Sequence, residues 1–466
     1  MHLSRLAIQG IVVALLIARS VEASSYAQLS STQTQVGEST PSIVKFDKSD
    51  AAKGIAITNR GIMFKEAGPY FIMAAAQVGS VSGIGRGTVR LWMRKNGKDV
   101  PNSNSAQTVL PGFTAVLISQ GMVEIEPADT IELLFSVSSD YQKLGLIASA
   151  PEGEPAVPST IFSAFKADDR AYAQLTSTTT QTATGTGSIA KLDLVDAAKK
   201  VGSYSGTMAF ETGGTYLVMA GAQVGCTGRA SNEGQVRIWL RKCGKDVPNS
   251  SCAQYVAPGF TSVLICQSVL TCQAGEQVEF IQAATSSNLG VVAWKPEGEP
   301  AVPSLIVSIV KVSDGAYAQL SSLESQEGGA YPTSIRLKQT DAARNVENAA
   351  GSSSSINKGT IALGQDGVYF AIAGAQVGST DAKISGGSSR LWLRKSGKDV
   401  EKSNSEQTIF PRYTTVLVSQ GVFEGKEGNR LQLYHSARGA GVGLISTEHT
   451  GEPHVPSIIF TLVKVD

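Results

Sequence analysis

The stretch Val89-Arg90-Leu91-Trp92-Met93-Arg94-Lys95-Asn96-Gly97-Lys98-Asp99-Val100 decides the fold. From Val89 to Arg94 the side chains follow the period of two of a β-strand. Val89, Leu91 and Met93 share one face, and Arg90, Trp92 and Arg94 share the other. Asn96-Gly97 reads as a two-residue hairpin turn, because both residues accept positive φ at little cost. The pattern returns as Arg237-Ile238-Trp239-Leu240-Arg241 before Gly244-Lys245-Asp246-Val247. It returns again as Arg390-Leu391-Trp392-Leu393-Arg394 before Gly397-Lys398-Asp399-Val400. The tryptophans at 92, 239 and 392 set a period of about 150 residues, which is a domain and not a solenoid unit.

Other repeats keep this spacing. Tyr-Ala-Gln-Leu occurs at 26–29, 172–175 and 317–320. Pro-Glu-Gly-Glu-Pro-Ala-Val-Pro-Ser occurs at 151–159 and 296–304, with the variant His-Thr-Gly-Glu-Pro-His-Val-Pro-Ser at 449–457. Proline restricts φ and lacks an amide donor, so this segment reads as a rigid edge before a last strand. Thr114 to Ile118, Thr130 to Phe135 and Ser159 to Phe165 are further strand runs, and no helical stripe is long enough to pack on a sheet. The fold class is all-β, with three tandem jelly-roll β-sandwich domains at 24–167, 171–312 and 316–466. The joints Asp168-Asp169-Arg170 and Ser313-Asp314-Gly315 are short and polar.

The chain has 466 residues, of which 17% are charged, a globular composition and not a disordered one. Arg5, the apolar run from Ile8 to Ile17, and Val21-Glu22-Ala23 read as a secretory signal at 1–23, cut after Ala23. The location expected is therefore secreted or extracellular, with no membrane span after cleavage. The formal net charge is +1, and the signal carries off Arg5, Arg19 and Glu22, which leaves the charges balanced. Nucleic acid is not an expected partner. The five cysteines at 226, 243, 252, 266 and 272 all fall in the middle copy. Four of them align with Ser or Asn in the sister copies, such as Ser105 and Ser405 for Cys252. They are not a shared scaffold, although one or two bridges within the middle copy are compatible with their number.

The histidines are His2, His435, His449 and His454, so no Ser/His/Asp or Cys/His set can recur in all three copies. The expectation is a protein that is not an enzyme, with no catalytic residues, no cofactor and no metal. His449, His454 and Glu452 cluster in sequence but match no zinc spacing. The candidate binding residues are Arg90, Trp92, Arg94, Arg237, Trp239, Arg241, Arg390, Trp392 and Arg394. Two guanidiniums and an indole on one face suit a carboxylate, a sulfate or a sugar face. The competing reading is structural: the indole packs away and the arginines pair with acids. Asn249-Ser250-Ser251 is a glycosylation sequon.

Gly68-Pro69-Tyr70, Gly214-Thr215-Tyr216 and Gly367-Val368-Tyr369, the Arg-x-Trp hairpin and the closing Ser-x-Ile-Phe-Ser-x-Phe at 159–165 together carry a family resemblance. Each copy resembles the jelly roll shared by the globular head of complement subcomponent q (C-one-q) and tumour necrosis factor. The chain lacks the Gly-X-Y stalk of the complement proteins. The resemblance implies trimers around a threefold axis, so three copies in one chain are expected to close as an intramolecular pseudo-trimer, with Tyr26, Tyr172 and Tyr317 meeting near the axis. A joint of three or four residues spans only about 10–14 Å, so closure needs each copy's end beside its neighbour's start. The alternative is three beads that trimerise between chains. The functional expectation is a secreted binding or structural protein that recognises a protein or a glycan. Two rivals stay open: a carbohydrate-binding lectin, which needs exposed tryptophans, and an extracellular coat or matrix component without a small ligand.

Overall fold

A computed structural model describes residues 24–168, 170–228, 232–312, 315–348, 359–379 and 386–466, apart from the side chain of Tyr141. The signal segment 1–23 and the joint residues Asp169, Ser313 and Asp314 lie outside the described residues. The chain is all-β: six antiparallel sheets form three similar β-sandwich units in tandem.

In the first unit one sheet runs in the order 48–53, 26–31, 160–166, 68–80, with 114–125 on the far side of 68–80. The opposing sheet runs 105–109, 87–95, 130–137, 61–64, 55–58. The second and third units repeat this order around 214–226 and 367–379. The sequence reading of 87–95 holds: the turn after it has φ of 49° at Asn96 and 77° at Gly97.

The first and last strands of each unit pair with one another. Tyr26 lies opposite Phe165, Tyr172 opposite Val310, and Tyr317 opposite Val463. Entry and exit of every unit therefore sit side by side, which is what a three-residue joint requires. Ser24 Oγ donates to Asp168 Oδ2 at 3.0 Å across this base.

The long strand Gly68–Ser80 is buried along nearly its whole length. Its inner face, with Tyr70, Ile72, Ala74 and Val78, packs into the sandwich. Its outer face, with Phe71, Met73 and Gln77, meets the other units, which is why the strand reads as a continuous apolar run and not as an alternation. One apolar cluster accordingly extends through all three units.

The contacts between units run in a cycle. Gln223 Oε1 accepts from Ala106 N at 3.0 Å, and its Nε2 donates to Ala106 O at 2.7 Å. Gln376 does the same to Ala253 at 3.0 and 2.8 Å, and Gln77 to Glu406 at 2.9 and 2.6 Å. On the axis Phe113, Phe260 and Tyr413, one from each unit, meet edge to face with centroids 5.7–6.2 Å apart. The sandwiches are a closed ring and not separated beads. Scattering checks this in solution: the chain from residue 24 onward is expected to run as a monomer with a radius of gyration of about 22 Å, the scaling for one compact body of this length. An elongated monomer would contradict the ring.

Candidate functional site

The Arg-x-Trp-x-Arg strands lie where units meet and are not open gripping surfaces. Trp92, Trp239 and Trp392 are each 0% exposed. Each indole Nε1 donates to the aspartate of the following Gly-Lys-Asp-Val turn, at 3.0 Å to Asp99, 2.8 Å to Asp246 and 3.0 Å to Asp399. Arg94, Arg241 and Arg394 pair with the same aspartates at 2.9, 2.7 and 2.8 Å. A buried indole needs a partner for its N–H, and the turn supplies one. A sugar cannot stack on Trp92, Trp239 or Trp392 in this arrangement.

Arg90, Arg237 and Arg390 each reach an acid on the next unit. Arg90 grips Glu299 with Nε–Oε2 at 2.5 Å and Nη2–Oε1 at 2.9 Å. Arg237 grips Glu452 at 2.5 and 2.7 Å. Arg390 Nη1 donates to Glu154 at 3.1 Å, and its Nη2 to Glu406 at 3.1 Å. The three glutamates, each 4% exposed, come from the Gly-Glu-Pro loop. That loop, read from sequence as a rigid edge, carries the carboxylate that locks one unit to the next. Glu452 is thereby committed to Arg237 and unavailable to a metal. Among the described residues no group of three or more His, Cys, Asp or Glu is gathered to hold one.

Tyr26, Tyr172 and Tyr317 do not meet as an aromatic cluster. Tyr26 Oη donates to Glu424 of the third unit at 2.8 Å, and Tyr172 Oη donates to Glu124 of the first. Burial, then the bond to Glu124, pushes the Tyr172 hydroxyl up to about 12. The third junction has Thr271 where the others have glutamate, so Tyr317 lacks that acceptor. Phe113, Phe260 and Tyr413 take the axial place instead. The cysteines are all free thiols. Cys266 sits under the hydrogen bond of Cys252 and in full burial, which raise its pKa, and its Sγ donates to Ser250 O at 2.9 Å.

What recurs at all three junctions is a groove. It is lined on one side by the Lys-Asp-Val turn and on the other by a Gln and an Asp-Ala-Ala segment of the neighbouring unit. The volumes are about 490 Å³ between units one and two, 750 Å³ between two and three, and 710 Å³ between three and one. The register explains the acid. Gln28 lies opposite Ala51 and Leu29 opposite Ser49, so Asp50 is the extra residue of a β-bulge. Asp196 and Asp341 occupy the same bulge in the other units. A bulge re-aims a side chain out of the strand alternation, and here it turns one aspartate per unit toward the junction. Burial raises the pKa of all three carboxyls. At two junctions an asparagine of the neighbouring turn closes over the acid: Asn102 Nδ2 donates to Asp196 at 2.6 Å, and Asn249 Nδ2 to Asp341 at 2.5 Å. Asn249 belongs to the sequon, so a glycan on that nitrogen would compete with the bridge.

Searched against protein-family models the chain matches none, and no curated protein matches it either.

Two outcomes follow for stability. Arg237→Met is expected to cost about 3–5 kcal/mol by stranding a buried carboxylate, and adding Glu452→Leu should recover most of it, both read by thermal or denaturant unfolding. Burial lowers the pKa of His435 to about 4, and its ring Nε2 lies 2.7 Å from Ser389 Oγ. The unfolded chain takes up that proton near 6.5 and the folded one does not. Folding stability should fall by up to roughly 3 kcal/mol as pH drops from 6.5 toward 4. His435→Gln, which copies Gln282 of the second unit, should flatten this part of the pH profile.

Proposed function

We propose that the protein is a secreted, non-catalytic recognition protein that binds a protein or glycan partner in the grooves between its units. The strand order of each sandwich supports reading the units as jelly rolls of the C-one-q and tumour necrosis factor type. The observation that carries the proposal is the bulged aspartate, presented to a groove at every junction. The same scaffold holds different rims: Pro101-Asn102, Pro248-Asn249 and Glu401-Lys402 stand at equivalent places. A rigid frame with variable exposed turns is the usual architecture of recognition. The lysines Lys98, Lys245 and Lys398 stand exposed on the rims and reach solvent, while the Arg/Trp strand behind them holds the frame.

Arrays of glycans and of peptides probed with the labelled mature chain test this. The signal should fall at least about tenfold in the triple variant Lys98→Glu, Lys245→Glu, Lys398→Glu, whose fold is checked by its melting curve. A signal that the triple variant leaves unchanged would place recognition elsewhere. A variant at the buried Arg/Trp strand should instead lower the melting temperature.

A further inference from the structure

The three grooves are alike in shape but not in chemistry. At the junction between the third and first units, Lys402 stands where Asn102 and Asn249 close the other two, in the same left-handed conformation with φ of 56° against 55° and 55°. Lysine carries no side-chain amide at that reach, and the bridge over the acid is missing. Asp50 Oδ2 is left buried with no hydrogen bond of good geometry among the described residues, with the Ser30 hydroxyl beside the carboxylate and the Lys402 charge acting on it through space. Glu401 replaces Pro101 and Pro248 on the same rim and is exposed. Asp399, although it lines the groove, is committed to Trp392 and Arg394. Glu424 is likewise committed to Tyr26.

We propose that the groove between the third and first units takes a primary alkylammonium group, of the kind a lysine side chain carries, on the open carboxylate of Asp50. This rests on reading the grooves as recognition sites and goes further by assigning a chemical class to one of them. A desolvated acceptor without a partner is costly, and a charged donor is the partner that returns most to it. An ammonium brings three donors on a flexible stem. Asp50 accepts one of them, Glu401 at the mouth can take another, and the groove of about 710 Å³ houses the alkyl chain. The other two grooves have no such vacancy, since Asn102 and Asn249 already occupy the acid. The site is therefore single in each chain.

The test is titration calorimetry of the mature chain with Nα-acetyl-lysine methylamide, beside its Nε-acetylated analogue. One site per chain is expected for the amine and no heat for the acetylated form. Asp50→Asn should weaken binding by about tenfold or more. Lys402→Asn, which restores the bridge of the other junctions, should weaken it comparably, with an unchanged melting curve showing that the fold is intact. Three equal sites, equal binding of the acetylated analogue, or indifference to both substitutions would overturn the proposal. If the amine fails to bind while array signals remain sensitive to Lys98 and Lys245, the assignment of this groove falls and the broader reading stands.

Discussion

The antiparallel pairing of each unit's first strand with its last is the constraint from which the architecture follows. With 26–31 lying against 160–166, the chain leaves a sandwich beside the point where it entered. Without that pairing, a joint of three residues would fall short of the next sandwich's first strand. With it, the two ends of each unit lie together, and the outer faces of 68–80, 214–226 and 367–379 are free to meet along a common axis. The translational and rotational entropy that three separate chains would lose on association is replaced by the smaller entropy of closing short joints, so the ring is expected to form without dependence on concentration.

The ring is specified by polar groups as much as by apolar area. A sheet face that is wholly apolar can slide against another in several registers. Gln77, Gln223 and Gln376 remove that freedom, because each amide imitates a peptide group and pairs with both the N–H and the C=O of one residue on the adjoining unit. Gln28, Gln174 and Gln319 add an acceptor for a backbone N–H across the same seams. Arg90, Arg237 and Arg390 set the rotation with buried ion pairs, whose cost of desolvation makes any wrong docking worse than none. Apolar burial thus supplies adhesion, while glutamine and arginine choose the geometry in which their amides and guanidiniums find backbone and carboxylate partners on the adjoining unit.

Period and repeat made the fold legible in the sequence, since the alternation around Trp92 and the recurrence of Tyr-Ala-Gln-Leu are local patterns. The tryptophan's burial was less legible. Its place on the face opposite Leu91 marks it as outward, and nothing local says that Asp99 and the hairpin will fold over it. The role of Glu154, Glu299 and Glu452 was hidden for a related reason. A glutamate between glycine and proline looks like loop composition, and its partner arginine lies on another unit at a sequence distance of two hundred residues or more. The bulged aspartates left a trace, the repeated Asp-Ala-Ala at 50–52, 196–198 and 341–343, but a bulge is a property of pairing register and register is not written in one strand alone. Tyr26 and Tyr172 do stand at the seams between units, but sequence equivalence does not say how far from the axis a seam residue lies. Their hydroxyls reach acids on the flanking units.

A ring of three identical chains must present three identical junctions, and any change to one is a change to all. Covalent linkage lifts that condition. Here the Arg–Glu pairs between units and the Trp–Asp pairs within them recur in all three copies, while the rims have diverged one at a time. Asparagine closes two of the acids, and lysine leaves the third open. The same freedom appears in the interior: His435 replaces Phe135 and Gln282, and cysteines replace serines in the middle unit alone. Divergence in the core is held back by close packing, since a change of volume there is felt by the neighbouring sheets. Divergence at the rims meets no such limit. The physical consequence is that one chain can keep a threefold scaffold and still carry a single distinct site.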